Sequence, residues 1–117
     1  MKLQQILEDI EFIEKWAEHE CYKNVNNYMT KHDLPHAKII HGTVTSENKR
    51  IGHAWILNGN KVIDPTLGKI IPKNDYYRIL NAKEDKIYTD IEAMRMSLFT
   101  RNHGPWSNSE NKKFLNR

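Results

Sequence analysis

The sequence predicts an α+β domain, with N-terminal helices packed on a small antiparallel sheet and a further helix near the C-terminus. Two changes of pattern support this class. Up to about residue 32 the apolar residues recur every three or four positions, which is typical of amphipathic helices. Between residues 37 and 64 they form short runs rich in β-branched residues, which predict strands. A length of 117 residues predicts a single domain over residues 1–117.

Two helices are predicted before the sheet. The first covers residues 2–18 and the second covers residues 20–32, with Cys21 near its start. Pro35 closes this region, because proline cannot continue a helix. The apolar positions of the first helix are Leu3, Ile6, Leu7, Ile10, Ile13, Trp16 and Ala17.

Three strands are predicted next, at residues 37–45, 51–57 and 60–64. Asn58-Gly59 is a strong hairpin signal, because a type I′ turn requires a positive φ at both central positions. If these two residues form the turn, His53 lies directly opposite Asp64. Cross-strand neighbours have Cβ atoms about 4.5–5.5 Å apart. We therefore expect the imidazole to reach the carboxylate.

The last third of the chain predicts a loop with a short helix around residues 73–81, and a helix from Thr89 to about Arg101. Thr89 and Glu92 have the spacing of a capping box at the start of that helix. Residues 107–117 are polar, and we expect them to form a frayed tail.

Composition narrows the classes of function. The chain is 38% hydrophobic and 28% charged, with a net charge of +3, which is typical of a globular protein and too mild to indicate nucleic-acid binding. Acidic residues interrupt the N-terminal apolar positions, so neither a signal peptide nor a membrane span is expected. A single cysteine cannot form an intrachain disulfide. These features predict a cytoplasmic protein.

The same cysteine suggests chemistry. A thiol at the start of a helix lies beside unpaired N–H groups and the positive end of the helix dipole, which favour thiolate over thiol. Those N–H groups could also bind the oxyanion of a tetrahedral intermediate. A carboxylate at Asp64 would hold one ring nitrogen of His53 and leave the other as a base. Cys21, His53 and Asp64 are therefore a candidate nucleophile–base–orienter triad.

Each member also has a purely structural interpretation. Single cysteines are usually small buried apolar residues. His53 shares a strand face with Trp55 and could be a core histidine, and an aspartate before Pro65 is ordinary turn chemistry. The combination favours the triad, because a buried histidine and aspartate are costly unless they are paired.

Residues 51–66, IGHAWILNGNKVIDPT, resemble a segment of papain-like and transglutaminase-like cysteine proteins. In that superfamily a HAW strand is followed by a strand that ends in DPT. The order Cys21 on a helix, then His53 and Asp64 on successive strands, matches it as well. The wider pattern ECYKNV, HGTV, DYYRIL and HGPW, over about residues 20–106, is similar to small phage and bacterial members.

The resemblance implies a thiol hydrolase or acyltransferase acting on an amide, isopeptide or thioester bond. The substrate would be a protein, a peptide or a small amide, and no cofactor is implied. Papain-like enzymes often carry a glutamine shortly before the cysteine as an oxyanion donor, but here His19-Glu20 stand at that place. The candidates for the oxyanion donor or the pocket are Tyr22, Asn24, His41, Trp55, His103 and Trp106.

Two alternatives stay open. A zinc site at Cys21, His53 and Asp64 is conceivable, although the sequence has no CxxC or HExxH spacing. The chain could also be a non-catalytic protein-binding module on the same scaffold, such as a phage accessory or anti-defence protein. Rapid alkylation of Cys21 that depends on His53 would distinguish the enzyme from the binding module.

Overall fold

A computed structural model describes residues 9–116 and has the α+β class that the sequence predicts. One antiparallel sheet has the strand order β1-β5-β4-β3-β2-β6, so β3 and β4 lie at its centre. Helices cover both of its faces. The strands are β1 (Glu11–Phe12), β2 (Lys38–Ser46), β3 (Lys49–Asn58), β4 (Lys61–Asp64), β5 (Lys69–Pro72) and β6 (Lys83–Tyr88), and the helices are α1 (Cys21–Lys31), α2 (Lys73–Ile79), α3 (Asp90–Thr100) and α4 (Asn108–Leu115).

The two faces of the sheet pack into separate apolar clusters. Successive side chains of a strand point to opposite faces, so Ile39 joins one cluster and Ile40 joins the other. Helices α1, α3 and α4 pack on the face of Ile39, and α2 packs on the face of Ile40. Trp55 is fully buried on the side of α2, beside Tyr76. The core is thus built around the two longest strands, β2 and β3.

The N-terminal helix expected over residues 2–18 is wrong from residue 10 onward. Residues 2–8 of that prediction lie outside the described residues, and from residue 10 to residue 20 the chain is not helical. Glu11 and Phe12 instead form β1, which pairs with β5 at the edge of the sheet. The apolar spacing misled the prediction because Ile10 and Ile13 contact different clusters, one on each face of the sheet.

The hairpin between β3 and β4 also differs from the prediction. Asn58 pairs with Lys61, so Gly59 and Asn60 are the turn residues. Gly59 has a φ of +62°, whereas Asn58 keeps a negative φ, so a type I′ turn at Asn58-Gly59 does not form. A positive φ at the first turn position is what a type II′ turn requires, and glycine adopts it without strain. The turn therefore lies one residue later than predicted, and the partner of each β3 residue moves by two positions, so that Leu57 pairs with Val62.

Strands β5 and β6 were not predicted, whereas the later helices were largely predicted. Helix α2 lies within the short helix expected at residues 73–81, and α3 begins directly after its N-cap Thr89, which forms the expected capping box with Glu92. Residues 107–117 were expected to fray, but most of them form α4, whose capping box joins Ser107 and Glu110. Within residues 9–116, none of the helices combines the length and apolar character needed to span a bilayer.

Candidate active site

Cys21 is the first residue of α1 and packs against the sheet. Its exposed fraction is 8%, and it lies in the cluster that contains Val25 and Ala54. The cap residue Glu20 makes no side-chain hydrogen bond to the helix, and the first turn carries no acidic residue. The N–H groups at this end of α1 therefore have no side-chain cap, which leaves the positive end of the helix dipole beside the thiol.

His53 and Asp64 are joined by a side-chain hydrogen bond, although they are not the cross-strand pair that the sequence predicts. His53 Nε2 lies 2.8 Å from Asp64 Oδ2, and both side chains are buried. Burial disfavours the charged ring, but the hydrogen bonds to Asp64 and to Cys21 outweigh it and raise the pKa of His53 from 6.5 to about 9. Since Nε2 is held by the carboxylate, Nδ1 is the ring nitrogen left for the thiol. The Asp64 carboxylate and the Cys21 thiol thus both favour the protonated ring.

The pairing does not arise from the register that predicted it. The last β3–β4 pair is Ile56 with Ile63, so Asp64 continues the ladder opposite Trp55 rather than His53. The imidazole and the carboxylate therefore meet diagonally across the two strands, a spacing that long and aromatic side chains can still bridge. We conclude that contacts beyond the strand pairing orient the carboxylate.

The Asp64 carboxylate has three hydrogen-bond donors. Oδ1 accepts from the backbone N–H of Leu67 at 3.1 Å. Oδ2 accepts from His53 and also from the hydroxyl of Tyr76, whose oxygen lies 2.7 Å away. Asp64 has an exposed fraction of 0%, and a buried carboxylate is stable only when its oxygens are hydrogen-bonded in this way.

The N-terminal segment holds the turn that follows Asp64. The Trp16 N–H donates to the Pro65 carbonyl at 2.9 Å, and the Ile13 N–H donates to the Gly68 carbonyl at 3.0 Å. Gly68 has a φ of +72°, and a Cβ there would lie 2.9 Å from the Lys15 Cβ. Glycine therefore allows the segment and the turn to approach closely.

Asn24, an expected oxyanion candidate, connects this turn to α1. Its side-chain amide donates to the Ala17 carbonyl at 2.8 Å and to the Thr66 hydroxyl at 2.9 Å. Both amide hydrogens are thus used within the protein. Asn24 lies one turn after Cys21 on the same helix, so its bonds fix the start of α1 relative to the Asp64 turn.

Three other candidates form an aromatic cluster on the α1 side of the sheet. The His41 ring lies 4.8 Å from the Tyr22 ring and 5.1 Å from the Trp106 ring, measured between centroids. Within residues 9–116, neither ring nitrogen of His41 has a hydrogen-bond partner. Burial, together with the positive charge of Lys86, lowers the pKa of His41 from 6.5 to about 4. His41 is therefore neutral at physiological pH.

The two remaining candidates are Trp55, whose ring centroid lies 6.2 Å from that of His53, and His103. Trp55 is on the α2 face of the sheet, where its Nε1 donates to the Tyr77 hydroxyl at 3.1 Å. His103 Nδ1 lies 3.2 Å from the side-chain nitrogen of Asn26. Both residues belong to other contacts, and neither is joined to the triad by a hydrogen bond among residues 9–116.

A groove of about 320 Å³ runs between α1 and α3. Asn26, Ser97 and His103 supply polar atoms to it, and Met94 and Leu98 supply apolar surface. None of the three triad residues lines this groove.

Sequence reasoning missed Tyr76 and the Leu67 N–H as partners of Asp64. The tyrosine pair at 76–77 was visible in the segment DYYRIL, but its pattern does not indicate which phenol faces the sheet. As regards the zinc alternative, no group of three or more histidine, cysteine or acidic side chains within residues 9–116 is arranged to hold a metal ion.

The arrangement has the groups that acyl transfer requires: a thiol, a base and a carboxylate that orients the base. Searches among protein-family models, curated proteins and solved structures find no significant match to this chain. The resemblance to papain-like and transglutaminase-like proteins therefore stays a prediction.

Proposed function

We propose that this protein is a thiol-dependent hydrolase or acyltransferase that acts on an amide, isopeptide or thioester bond. Cys21 is the nucleophile, His53 is the acid and base, and Asp64 orients His53. The observation that carries the proposal is the buried 2.8 Å bond between His53 Nε2 and Asp64 Oδ2, on a ring that also interacts with Cys21. A purely structural role would not require a histidine to bridge a carboxylate and the only thiol of the chain.

Acylation begins with Cys21 as the thiolate and His53 as the imidazolium. A pKa of about 9 keeps the ring protonated at neutral pH. The sulfur attacks the carbonyl carbon, and the oxyanion that forms is stabilised by N–H groups at the start of α1. The C–N bond of an amide then breaks, and the leaving amine takes the proton from His53. The products are the amine and a thioester on Cys21.

Deacylation reverses the proton transfer. His53, now neutral, accepts a proton from water as the water oxygen attacks the thioester carbonyl. The C–S bond breaks, the carboxylic acid is released, and the thiolate–imidazolium pair is restored. If an amine attacks in place of water, the product is a new amide and the reaction is acyl transfer.

Alkylation of the thiol tests the proposal without knowledge of the substrate. Iodoacetamide should label Cys21 rapidly near neutral pH, and His53→Ala should slow the labelling by about tenfold or more, since a hydrogen bond to a charged group is worth at least that factor. The substitution His36→Ala, at an exposed histidine, is the matched control. Labelling that is slow in the wild type and unchanged in His53→Ala would show that Cys21 is only a packing residue.

A non-catalytic protein-binding role is the second candidate, because α3 exposes a row of apolar side chains. Ile91, Met94 and Leu98 are 67%, 58% and 69% exposed. Such residues on one helix are typical of interaction sites. A protein of this kind would keep its partner binding when Cys21 is replaced by serine, and it would lose that binding when Met94 is replaced by lysine. An enzyme would lose turnover of its substrate when Cys21 is replaced by serine and would keep it when Met94 is replaced by lysine.

A further inference from the structure

The orientation of Asp64 needs an explanation that the sheet does not supply. The register places Asp64 opposite Trp55, one residue pair beyond the end of the β3–β4 ladder. A carboxylate at that point could rotate about its Cα–Cβ and Cβ–Cγ bonds, and only some rotamers bring Oδ2 to His53. The other hydrogen bonds of the carboxylate therefore decide whether the triad is assembled.

Tyr76 supplies the strongest of these restraints. Its hydroxyl lies 2.7 Å from the same oxygen, Oδ2, that accepts from His53 at 2.8 Å. A carboxylate can only accept, so the phenol must be the donor in this pair. The N–H of Leu67 fixes the other oxygen at 3.1 Å. Two donors on one oxygen and one on the other leave the carboxylate a single satisfied orientation.

The phenol is itself held in place. Tyr76 is 0% exposed, and its ring packs 5.6 Å from the ring of Trp55. Helix α2, which carries it, is tied to the hairpin turn by a 2.7 Å bond from the Lys73 N–H to the Asn60 carbonyl. The Gly59-Asn60 turn is thus bonded to the helix that carries Tyr76.

We propose that Tyr76 is a positioning residue of the triad, whose hydroxyl holds the Asp64 carboxylate in the orientation that binds His53 Nε2. This inference rests on the proposed function for its catalytic meaning. Tyr76 acts through Asp64 and does not touch the substrate. Tyr76 thereby keeps the Nε2–H of His53 bonded to Oδ2 of Asp64. Since one ring nitrogen is used in this way, the other, Nδ1, stays directed to Cys21.

The test is Tyr76→Phe, which keeps the ring and removes the hydroxyl. The matched control is Tyr77→Phe, since Tyr77 bonds to Trp55 and Glu84 rather than to Asp64. The first measurement is the NMR titration of His53 in the protein without substrate. We expect the midpoint to fall from about 9 toward 6.5 in Tyr76→Phe and to stay near 9 in Tyr77→Phe.

The second measurement is the rate of alkylation of Cys21. It should fall about tenfold or more in Tyr76→Phe, because a hydrogen bond to a charged group corresponds to at least that factor. An unchanged His53 midpoint in Tyr76→Phe would overturn the inference. A higher midpoint would also overturn it, because it would mean that the phenol competes with His53 for Oδ2 instead of supporting the bond.

The two measurements separate this inference from the proposed function. If the wild-type thiol is unreactive but the His53 midpoint still falls in Tyr76→Phe, the function fails and the positioning role stands. If Tyr76→Phe does not fold, the wild-type protein decides: a slowly exchanging Tyr76 hydroxyl proton, with a nuclear Overhauser contact to the His53 Nε2 proton, is expected. Absence of that contact would overturn the inference.

Discussion

Two buried histidines on adjacent strands have opposite surroundings. His53 on β3 bonds to a carboxylate, and its pKa is raised to about 9. His41 on β2 lies among Tyr22, Tyr88 and Trp106, neither of its ring nitrogens is hydrogen-bonded in the described part of the chain, and its pKa is lowered to about 4. Burial disfavours the charge on both rings. The comparison shows that a partner, and not the degree of burial, decides which histidine can carry a proton at neutral pH.

The largest effect on stability should come from removing Asp64, the partner of His53. Asp64→Ala leaves three donors without an acceptor, two of them buried, and should lower the free energy of unfolding by about 3–5 kcal/mol, the usual cost of breaking a buried pair. Urea unfolding at pH 7 measures this loss. Asp85→Ala, at an exposed aspartate, is the control. Equal stability of the two variants would mean that the His53 pair makes no net contribution.

Asp64→Asn should reduce alkylation of Cys21 less than Asp64→Ala does, since an amide oxygen can still accept from the ring.

His41 should make the protein sensitive to acid. Its folded pKa of about 4 lies below its ordinary value of 6.5, so the unfolded chain takes up a proton that the folded chain refuses. The contribution of neutral His41 to the free energy of unfolding is fully present above pH 6.5. It is lost as the pH decreases to about 4, which lowers the free energy of unfolding by about 3 kcal/mol. His41→Phe should flatten the curve of unfolding free energy in this window.

The control for that experiment is His36→Gln, which removes an exposed histidine. A wild-type curve that stays flat between pH 6.5 and pH 4, or a slope that survives in His41→Phe, would show that the aromatic cluster does not disfavour the charged ring.

His53 should have the opposite pH dependence. Its folded pKa of about 9 lies above the ordinary 6.5, so the protonated ring stabilises the fold. That contribution is fully present below pH 6.5 and is lost as the pH rises through about 9. Unfolding measured from pH 6 to pH 10 should therefore show a decline that His53→Gln removes. A decline of equal size in the variant would assign it to other groups.

The smallest effect should come from the bond between α1 and the Asp64 turn. Thr66→Val removes the hydroxyl that accepts from Asn24 and preserves the shape of the side chain. We expect a loss of about 1 kcal/mol in unfolding free energy, the usual value for one hydrogen bond. Thr30→Val, which removes an exposed hydroxyl bonded to the Asn26 carbonyl, is the control. A change in the His53 midpoint in Thr66→Val alone would show that this bond also keeps the His53 pair aligned.

Several parts of the fold and site could be predicted because the signals are local. The α3 capping box depends on Thr89 and Glu92, which are three residues apart, and it forms as expected. Helix α1 follows from its own apolar spacing. The bond between His53 and Asp64 could be expected because one tight hairpin separates the two residues. The register was predicted wrongly, because the stronger local turn signal is Asn58-Gly59, whereas the turn that forms is Gly59-Asn60.

By itself, the sequence determined the α+β class, the helices of residues 21–31 and 90–100, and the hairpin that joins His53 to Asp64. Only the tertiary structure decided that residues 11–12 form a strand, that Tyr76 donates to Asp64, and that His41 finds no hydrogen-bond partner among residues 9–116. The physical reason is distance along the chain. A helix or a hairpin is stabilised by residues a few positions apart, whereas β1 requires the free edge of β5. In the same way, the state of each buried histidine depends on which distant side chain reaches it.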